Sequence, residues 1–443
     1  MSEPISHDNF LNLGISEALL ATLAKLKYTI PTPIQVRGIP IAMEGKDMVG
    51  IAQTGTGKTL AFGLPMIQRL YEMKGRGLVV LPTRELAIQV EESLRKIGAA
   101  LGIRTAVIIG GASMSMQIRD IRRDPHIIIA TPGRLNDHLD QRTLKLDRVR
   151  IVVLDEADRM LDMGFAPQIK QIFAFLPPER QTMLFSATMP PEIMRMATAQ
   201  MKMPINVEVA PAGTTVEKVT QELFLIDRAS KISLVKKLLE QYSGTTLIFT
   251  RTKHGAKKLA ALLRDFGESA AEIHSNRSLG QRKEALAGFK SGKYRILVAT
   301  DIASRGIDVT GIELVINFDL PENSEDYVHR IGRTARAGAG GHAISLVMPD
   351  QRRDVADIER LVKKVLPISS HPDLPKAQFS DHSGSRPPRR QQFHGHRSGG
   401  PSSGGSRFGG PRQGGSRGGH RPGGGGHRSG GGGFRQNRSR GSR

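Results

Sequence analysis

Ile51-Ala-Gln-Thr-Gly-Thr-Gly-Lys-Thr59 decides the fold of this 443-residue chain. The apolar lead-in from Met48 to Ile51 reads as a strand, and Leu60 onward reads as a helix. Two glycines, a lysine and a threonine stand between them, which is the layout of a phosphate-binding P-loop. Gly55 and Gly57 let the backbone turn so that successive N–H groups face one oxyanion. The following helix adds its positive N-terminal end. Lys58 can reach the outer phosphates, and the Thr59 hydroxyl can ligate Mg²⁺. Ala52 stands where the general pattern has its first glycine. A glycine-rich turn that binds nothing is the plainer alternative, and the surrounding chain bears on it.

Working outward, short runs rich in Val and Ile alternate with helix-length segments. Strands are predicted at Leu78–Leu81, Ala106–Ile109, Ile127–Ala130, Ile151–Leu154 and Met183–Phe185. Such an alternation predicts an α/β domain with a parallel sheet covered on both faces. Ligand contacts are then expected in the loops at the carboxyl ends of the strands. Those loops carry Pro82-Thr-Arg-Glu-Leu86, Gly110-Gly111, Thr131-Pro-Gly-Arg134, Asp155-Glu-Ala-Asp158 and Ser186-Ala-Thr188. Asp155-Glu156, at the end of an apolar strand beside a P-loop, is a Walker B arrangement. Asp155 would hold Mg²⁺, largely through water, and Glu156 would orient or deprotonate the attacking water. The alternative is an acidic helix start favoured by the helix dipole. Upstream, Gln35 follows the stiff Pro31-Thr-Pro33 turn; its planar amide can read an adenine edge or cap its own helix.

Residues 209–218 contain Pro211 and Gly213 in a polar run and read as a linker. A second alternating block follows, with strands predicted at Leu223–Ile226, Thr246–Phe249, Ala271–Ile273, Ile296–Ala299, Leu314–Asn317 and Ala343–Val347. It has no second P-loop; Phe249-Thr-Arg-Thr-Lys253 is expected at the matching place. Arg330, Arg333 and Arg336 fall at i, i+3 and i+6. An arginine on a second domain can enter a γ-phosphate site and stabilise transition-state charge, or the three can form a solvated basic face.

Composition sets further bounds. With no cysteine, disulfides and cysteine-ligated metals are excluded, in keeping with a reducing compartment. The polar start from Met1 to Asn9 predicts no secretory signal, and no apolar run reaches the length of a membrane span. A cytoplasmic protein is expected. The net charge of +22 calls for an anionic partner. From Asp381 to Arg443 there are 13 Arg, 21 Gly, one Asp and no Lys, with Phe393, Phe408 and Phe434 as the large apolar groups. This composition cannot bury enough surface to fold, so a disordered tail is expected over 368–443. Arg-Gly segments with an occasional Phe suit contact with phosphates and bases; a spacer tail is the alternative.

Taken together, these motifs resemble the DEAD-box family of ATP-dependent RNA helicases over residues 10–365, and within it the bacterial RhlE-like branch. The resemblance implies two RecA-like parallel-sheet domains, 1–208 and 219–367, joined by the short linker, with ATP and Mg²⁺ as ligands and RNA as partner. It implies a Q motif of Phe10, Tyr28 and Gln35, with Tyr28 stacking on adenine. Thr54, Gly55, Thr56, Gly57, Lys58 and Thr59 would bind phosphates, and Ala52 is ordinary for the family. Asp158, Ser186, Thr188 and His329 would couple the nucleotide to RNA. Asp308 would contact the ribose, and Arg333 and Arg336 would be arginine fingers. Arg84, Gly111, Thr131 and Arg134 would touch the RNA backbone from the first domain, and Arg251, Arg277 and Thr300 from the second. Two residues depart from the pattern: Ala335 replaces a common glycine beside both fingers, and Leu279 replaces a common Gln. Ribosomal precursors and RNA-decay machinery are partners found in the family, and the core is expected to be monomeric. A helicase, an ATP-gated RNA clamp and a non-catalytic RNA scaffold remain the readings; DNA translocation is disfavoured by the resemblance.

Overall fold

The Val- and Ile-rich runs become strands because β-branched side chains fit a pleated surface that is covered on both faces. The structure, a computed structural model, describes residues 9–52, 55–209, 219–301, 312–334, 341–375 and 377–379. In the first domain the strands are β1 (Met48–Ile51), β2 (Arg76–Val80), β3 (Thr105–Ile108), β4 (Ile127–Ala130), β5 (Val149–Leu154), β6 (Gln181–Ser186) and β7 (Ile205–Glu208). In the second they are β8 (Val219–Leu225), β9 (Thr246–Phe249), β10 (Ala270–Ile273), β11 (Ile296–Ala299), β12 (Leu314–Asn317), β13 (Gly341–Val347) and β14 (Ile368–Ser369). The first sheet has the order β3-β4-β2-β5-β6-β1-β7 and the second β10-β11-β9-β12-β13-β8-β14. All pairings between these strands are parallel. Alternate residues of one strand feed opposite layers: Met183 and Phe185 of β6 enter one apolar cluster and Leu184 the other. Phe185 meets Phe62 of the helix Lys58–Met73 with ring centroids 5.5 Å apart.

Four expectations are revised. Two of the four edge strands, β7 and β14, differ from the expectation of no strand there; β7 buries Val207 alone, so it carries no apolar run. The helix after the P-loop starts at Lys58, two residues earlier than its apolar pattern. The second domain continues past 367, because β14 pairs with β8 and Leu374 and Phe379 pack on its clusters. Sheet order also shows that the strand equivalent to β1 is β8, so Phe249–Lys253 matches the exit of β2 and not the P-loop.

Both sheets lie in one compact unit. Thr54, Asp308, Ala335, Arg336, the linker residues 210–218 and the tail from 380 onward lie outside the described residues. No helix among the described residues is long and apolar enough to cross a membrane.

Candidate active site and RNA face

The P-loop leaves β1, and the helix Pro33–Met43 braces it. Gly55 and Gly57 have φ of +89° and +85°, the left-handed region that glycine adopts without penalty. A Cβ on Gly57 would lie 2.3 Å from Gln35 Nε2. Gln35 donates from Nε2 to Gly57 O at 2.9 Å, and its Oε1 accepts from Thr32 N at 2.9 Å. The Thr32 hydroxyl donates to Thr56 O at 2.7 Å. The capping alternative for Gln35 is therefore present, and the same amide also clamps the phosphate loop.

Lys58 is buried. Its Nζ donates to Ala52 O at 3.0 Å and lies 3.9 Å from Asp155 Oδ1. Asp155 sits where β5 ends, and its Oδ1 accepts from Glu156 N at 2.9 Å. Burial, with the charges of Glu156 and Asp158 adding and Lys58 opposing, pushes its carboxyl up to about 6. A buried carboxylate so short of positive charge, with the Thr59 hydroxyl on the same cleft, is a donor set that fits a hard divalent cation. Glu156 is a non-glycine residue at φ +53°, ψ +50°, a strained conformation of the kind found at functional sites. Its Oε2 is 3.5 Å from Arg159 Nε but accepts no hydrogen bond.

Of the first-domain residues expected to couple nucleotide and RNA, Asp158 and Thr188 meet directly. Asp158 Oδ2 accepts from Ala187 N at 2.9 Å, Thr188 N at 3.0 Å and the Thr188 hydroxyl at 3.2 Å. Ser186 closes β6; its buried hydroxyl has no hydrogen-bond partner. His329 lies in the last turn of the helix Ser324–Ile331, and its carbonyl accepts from Arg333 Nε at 3.3 Å.

Arg333 reaches across to the cleft of about 420 Å³ lined by Tyr28, Gln35, Lys58, Thr59, Asp155 and Glu156. Tyr28 is half-exposed on that wall, as a stacking residue requires, whereas Phe10 is buried in the first-domain core and supports the segment from below. The larger cleft of about 820 Å³, near Asp158 and Thr188, is walled by carboxylates such as Asp162, Glu192, Glu325 and Asp357 and repels phosphates. Arg330 belongs elsewhere. Its guanidinium holds both carboxylate oxygens of Asp301 at 2.6 and 2.7 Å, Asn317 Oδ1 at 3.1 Å and Asp319 O at 2.6 Å.

The residues expected on RNA occupy three equivalent positions in each sheet. Arg84, Gly111 and Thr131 follow β2, β3 and β4; Arg251, Arg277 and Thr300 follow β9, β10 and β11. Gly111 has φ +77°, and a Cβ there would lie 2.3 Å from Arg84 Nη1, so only glycine lets that guanidinium lie over the loop. Arg134 Nη1 donates to Ala112 O at 2.9 Å, which brings it to the same loop. Arg251 donates its backbone N–H to Asp319 Oδ2 at 3.0 Å, and Arg277 is ion-paired with Glu272. Thr300 N donates to Ile273 O at 3.3 Å. One contact was missed by sequence reasoning: Arg282 Nη2 lies 2.8 Å from Glu85 Oε2, both buried, joining the two domains. Leu279, near it in sequence, packs on the first-domain cluster.

The DEAD/DEAH box helicase family model matches residues 32–196, and the helicase conserved C-terminal domain model matches residues 230–338. The chain is 43% identical over 371 residues to the DEAD-box ATP-dependent RNA helicase CshA of Geobacillus kaustophilus, covering 83% of this chain and 79% of that protein. It is 42% identical over 368 residues to the ATP-dependent rRNA helicase RRP3 of Debaryomyces hansenii, covering 82% and 77%. Dbp5 of S. cerevisiae bound to RNA and ADP BeF3 matches with a TM-score of 0.73 and 29% identity over 82% of this chain and 95% of that one. Mss116p bound to ssRNA and AMP-PNP matches with a TM-score of 0.74 and 28% identity over 80% and 77%. With the family models lying on both sheets and the P-loop, Asp155-Glu156 and Arg333 meeting in one cleft, the chain belongs to the DEAD-box family of ATP-dependent RNA helicases.

Proposed function

We propose that closure of the cleft between the two domains couples ATP hydrolysis to RNA binding and local unwinding of short duplexes. The observation that carries this is Arg333 of the second domain on the same cleft as Lys58, Thr59, Asp155 and Glu156 of the first. Lys58 leaves Ala52 O for the outer phosphates of ATP, while the N–H groups around Gly55 and Gly57 cradle them. Thr59 and Asp155 would hold Mg²⁺, which when bound neutralises charge on the phosphates. Glu156 orients the attacking water and takes its proton. Arg333, with Arg336 as the second finger, stabilises charge on the transferred phosphoryl group. Tyr28 stacks on adenine, Gln35 keeps its free amide proton for the base edge, and Asp308 holds the ribose.

On the opposite rim, Arg84, Gly111, Thr131 and Arg134 with Arg251, Arg277 and Thr300 hold a sugar–phosphate backbone and so read little sequence. ATP and RNA each contact both domains and so each favours closure; by linkage each tightens the other. The Asp158–Thr188 contact, with Ser186 and His329, carries that linkage. Hydrolysis removes the γ-phosphate contacts and lets the cleft reopen.

The domain limits 1–208 and 219–367, the latter extended to about 379 by the packing of Phe379, the RhlE-like branch, a monomeric core and a cytoplasmic location complete the proposal. Relatives named as rRNA helicases support ribosomal precursors as substrates. The test is Arg333→Ala: turnover at saturating RNA should fall about 10³-fold with ATP affinity nearly kept. Normal turnover would remove the finger from the mechanism.

A further inference from the structure

The shared strand order sets β8 where β1 stands and β12 where β5 stands. In the first domain Lys58 opens the helix after β1 and faces Asp155, which follows β5. In the second, Lys231 opens the helix Lys231–Gln241 after β8. Its Nζ donates to Phe318 O at 2.6 Å and lies 3.4 Å from Asp319 Oδ1, just beyond β12. A buried lysine facing an aspartate is thus repeated at the same place in both sheets, with Asp155 buried and Asp319 partly exposed. Beside it opens a pocket of about 460 Å³ whose wall includes Arg228, Arg251 and Lys258, all exposed. Asp319 is the single carboxylate among the described lining residues, against four cations. Burial pushes the Lys231 ammonium down, with Arg251 and Arg228 adding to that and Asp319 opposing, so both arginines lie within electrostatic reach of it. The first-turn N–H groups of two helices, Lys231–Gln241 and Lys253–Asp265, start at this end of the sheet.

We propose that this pocket binds a single phosphate group carried on an RNA strand, next to the backbone contact assigned to Arg251. The loop 226–230 has no glycine and no residue at positive φ, so it cannot wrap a triphosphate as the first-domain loop does. One phosphate needs no such wrap, and four cations around one carboxylate leave the pocket short of negative charge. Lys231 plays the part of Lys58, held by a carbonyl and an aspartate until an anion competes. The proposal rests on the RNA reading of the second-domain loops and extends their track.

The test uses the full chain with Arg228→Ser and Lys258→Ser combined, two exposed positions outside the ATP cleft, with unchanged melting temperature as the folding check. Binding of a single-stranded RNA oligonucleotide is measured over a salt series with a non-hydrolysable ATP analogue present. The oligonucleotide carries a 5′-hydroxyl, a 5′-phosphate or a 3′-phosphate. Affinity should fall on the order of tenfold, and the slope of log K against log salt should drop by about 0.7 for one lost phosphate contact. ATPase turnover at saturating RNA should not change. A loss on all three oligonucleotides assigns the pocket to an internal phosphodiester, and a loss confined to an end-phosphorylated one assigns it to that terminal phosphate. Unchanged affinity and slope on all three overturn the proposal. A wild type that binds no oligonucleotide overturns the RNA reading beneath it, and the proposal with it.

Discussion

Gly57→Ala is the sharpest perturbation of the phosphate loop. Two costs are legible in the structure. Gly57 sits at φ +85°, where an alanine costs about 1 kcal/mol. Its new Cβ would stand 2.3 Å from Gln35 Nε2 and drive that amide away. The displaced amide loses its bond to Gly57 O and its bond from Thr32 N, each 2.9 Å long and each contributing about 1 kcal/mol. The loop can relax when empty but must return to this shape to cradle phosphates, so the cost falls on binding. The sum is about 3 kcal/mol, or roughly 10²-fold in ATP affinity. Gln35→Ala alone should lose the two bonds, about 2 kcal/mol or roughly 30-fold. The double variant has no clash left, so it should bind no worse than Gly57→Ala. Its coupling energy should be about 2 kcal/mol, a size that contacting residues show in double-mutant cycles. Equilibrium titration with a fluorescent ATP analogue measures all three. A Gly57→Ala protein that binds within a few-fold of wild type, or a double variant whose losses simply add, would refute the bracing of the loop by Gln35.

Asp158→Asn keeps the shape but loses the charge behind three hydrogen bonds to Ala187 and Thr188 and leaves one backbone donor facing an amide. Measured as RNA affinity with and without an ATP analogue, the coupling should shrink by about 1–2 kcal/mol; an unchanged ratio would take Asp158 out of the linkage. Asp155 gives a pH dependence. Its carboxyl, ordinarily near 3.8 when unfolded, is pushed up to about 6 in the ligand-free fold. A raised folded value means stability that is fully present below pH ~4 and lost as pH rises through ~6. Asp155→Asn, which cannot ionise, should therefore stabilise the ligand-free protein above pH 7 by about 3 kcal/mol and have no such effect below pH ~4. Thermal unfolding across pH checks this, and a variant less stable than wild type at every pH would contradict it.

Much of the fold was legible because buried parallel strands are written as short unbroken Val and Ile runs such as Ile127–Ala130. β7 and β14 were not, since they bury almost nothing and their pairing is set by a distant neighbour, whereas the edge strand β10 is buried throughout and was readable. Of the site, Lys58, Asp155, Glu156 and Arg333 were readable from local motif and resemblance, and they share one cleft. The partner of Arg330 was not, because equal helical spacing says nothing about it, and Asp301 lies 29 residues away. The Glu85–Arg282 contact joins two domains, which no local pattern encodes; the acidic residue inside Pro82-Thr-Arg-Glu-Leu86 was the one available hint. Lys231 and Asp319 stand 88 positions apart, and their kinship to Lys58 and Asp155 becomes visible once strand order is known.

The central claim is that RNA binding and ATP hydrolysis are coupled through one shared cleft. Steady-state ATPase rates with RNA, with single-stranded DNA and with neither, in wild type and Glu156→Gln, test it most directly. RNA alone should stimulate the wild type strongly, and Glu156→Gln should keep ATP and RNA binding while losing about 10²-fold or more in turnover. A rate indifferent to RNA, or near-normal turnover without the Glu156 carboxylate, would contradict the account.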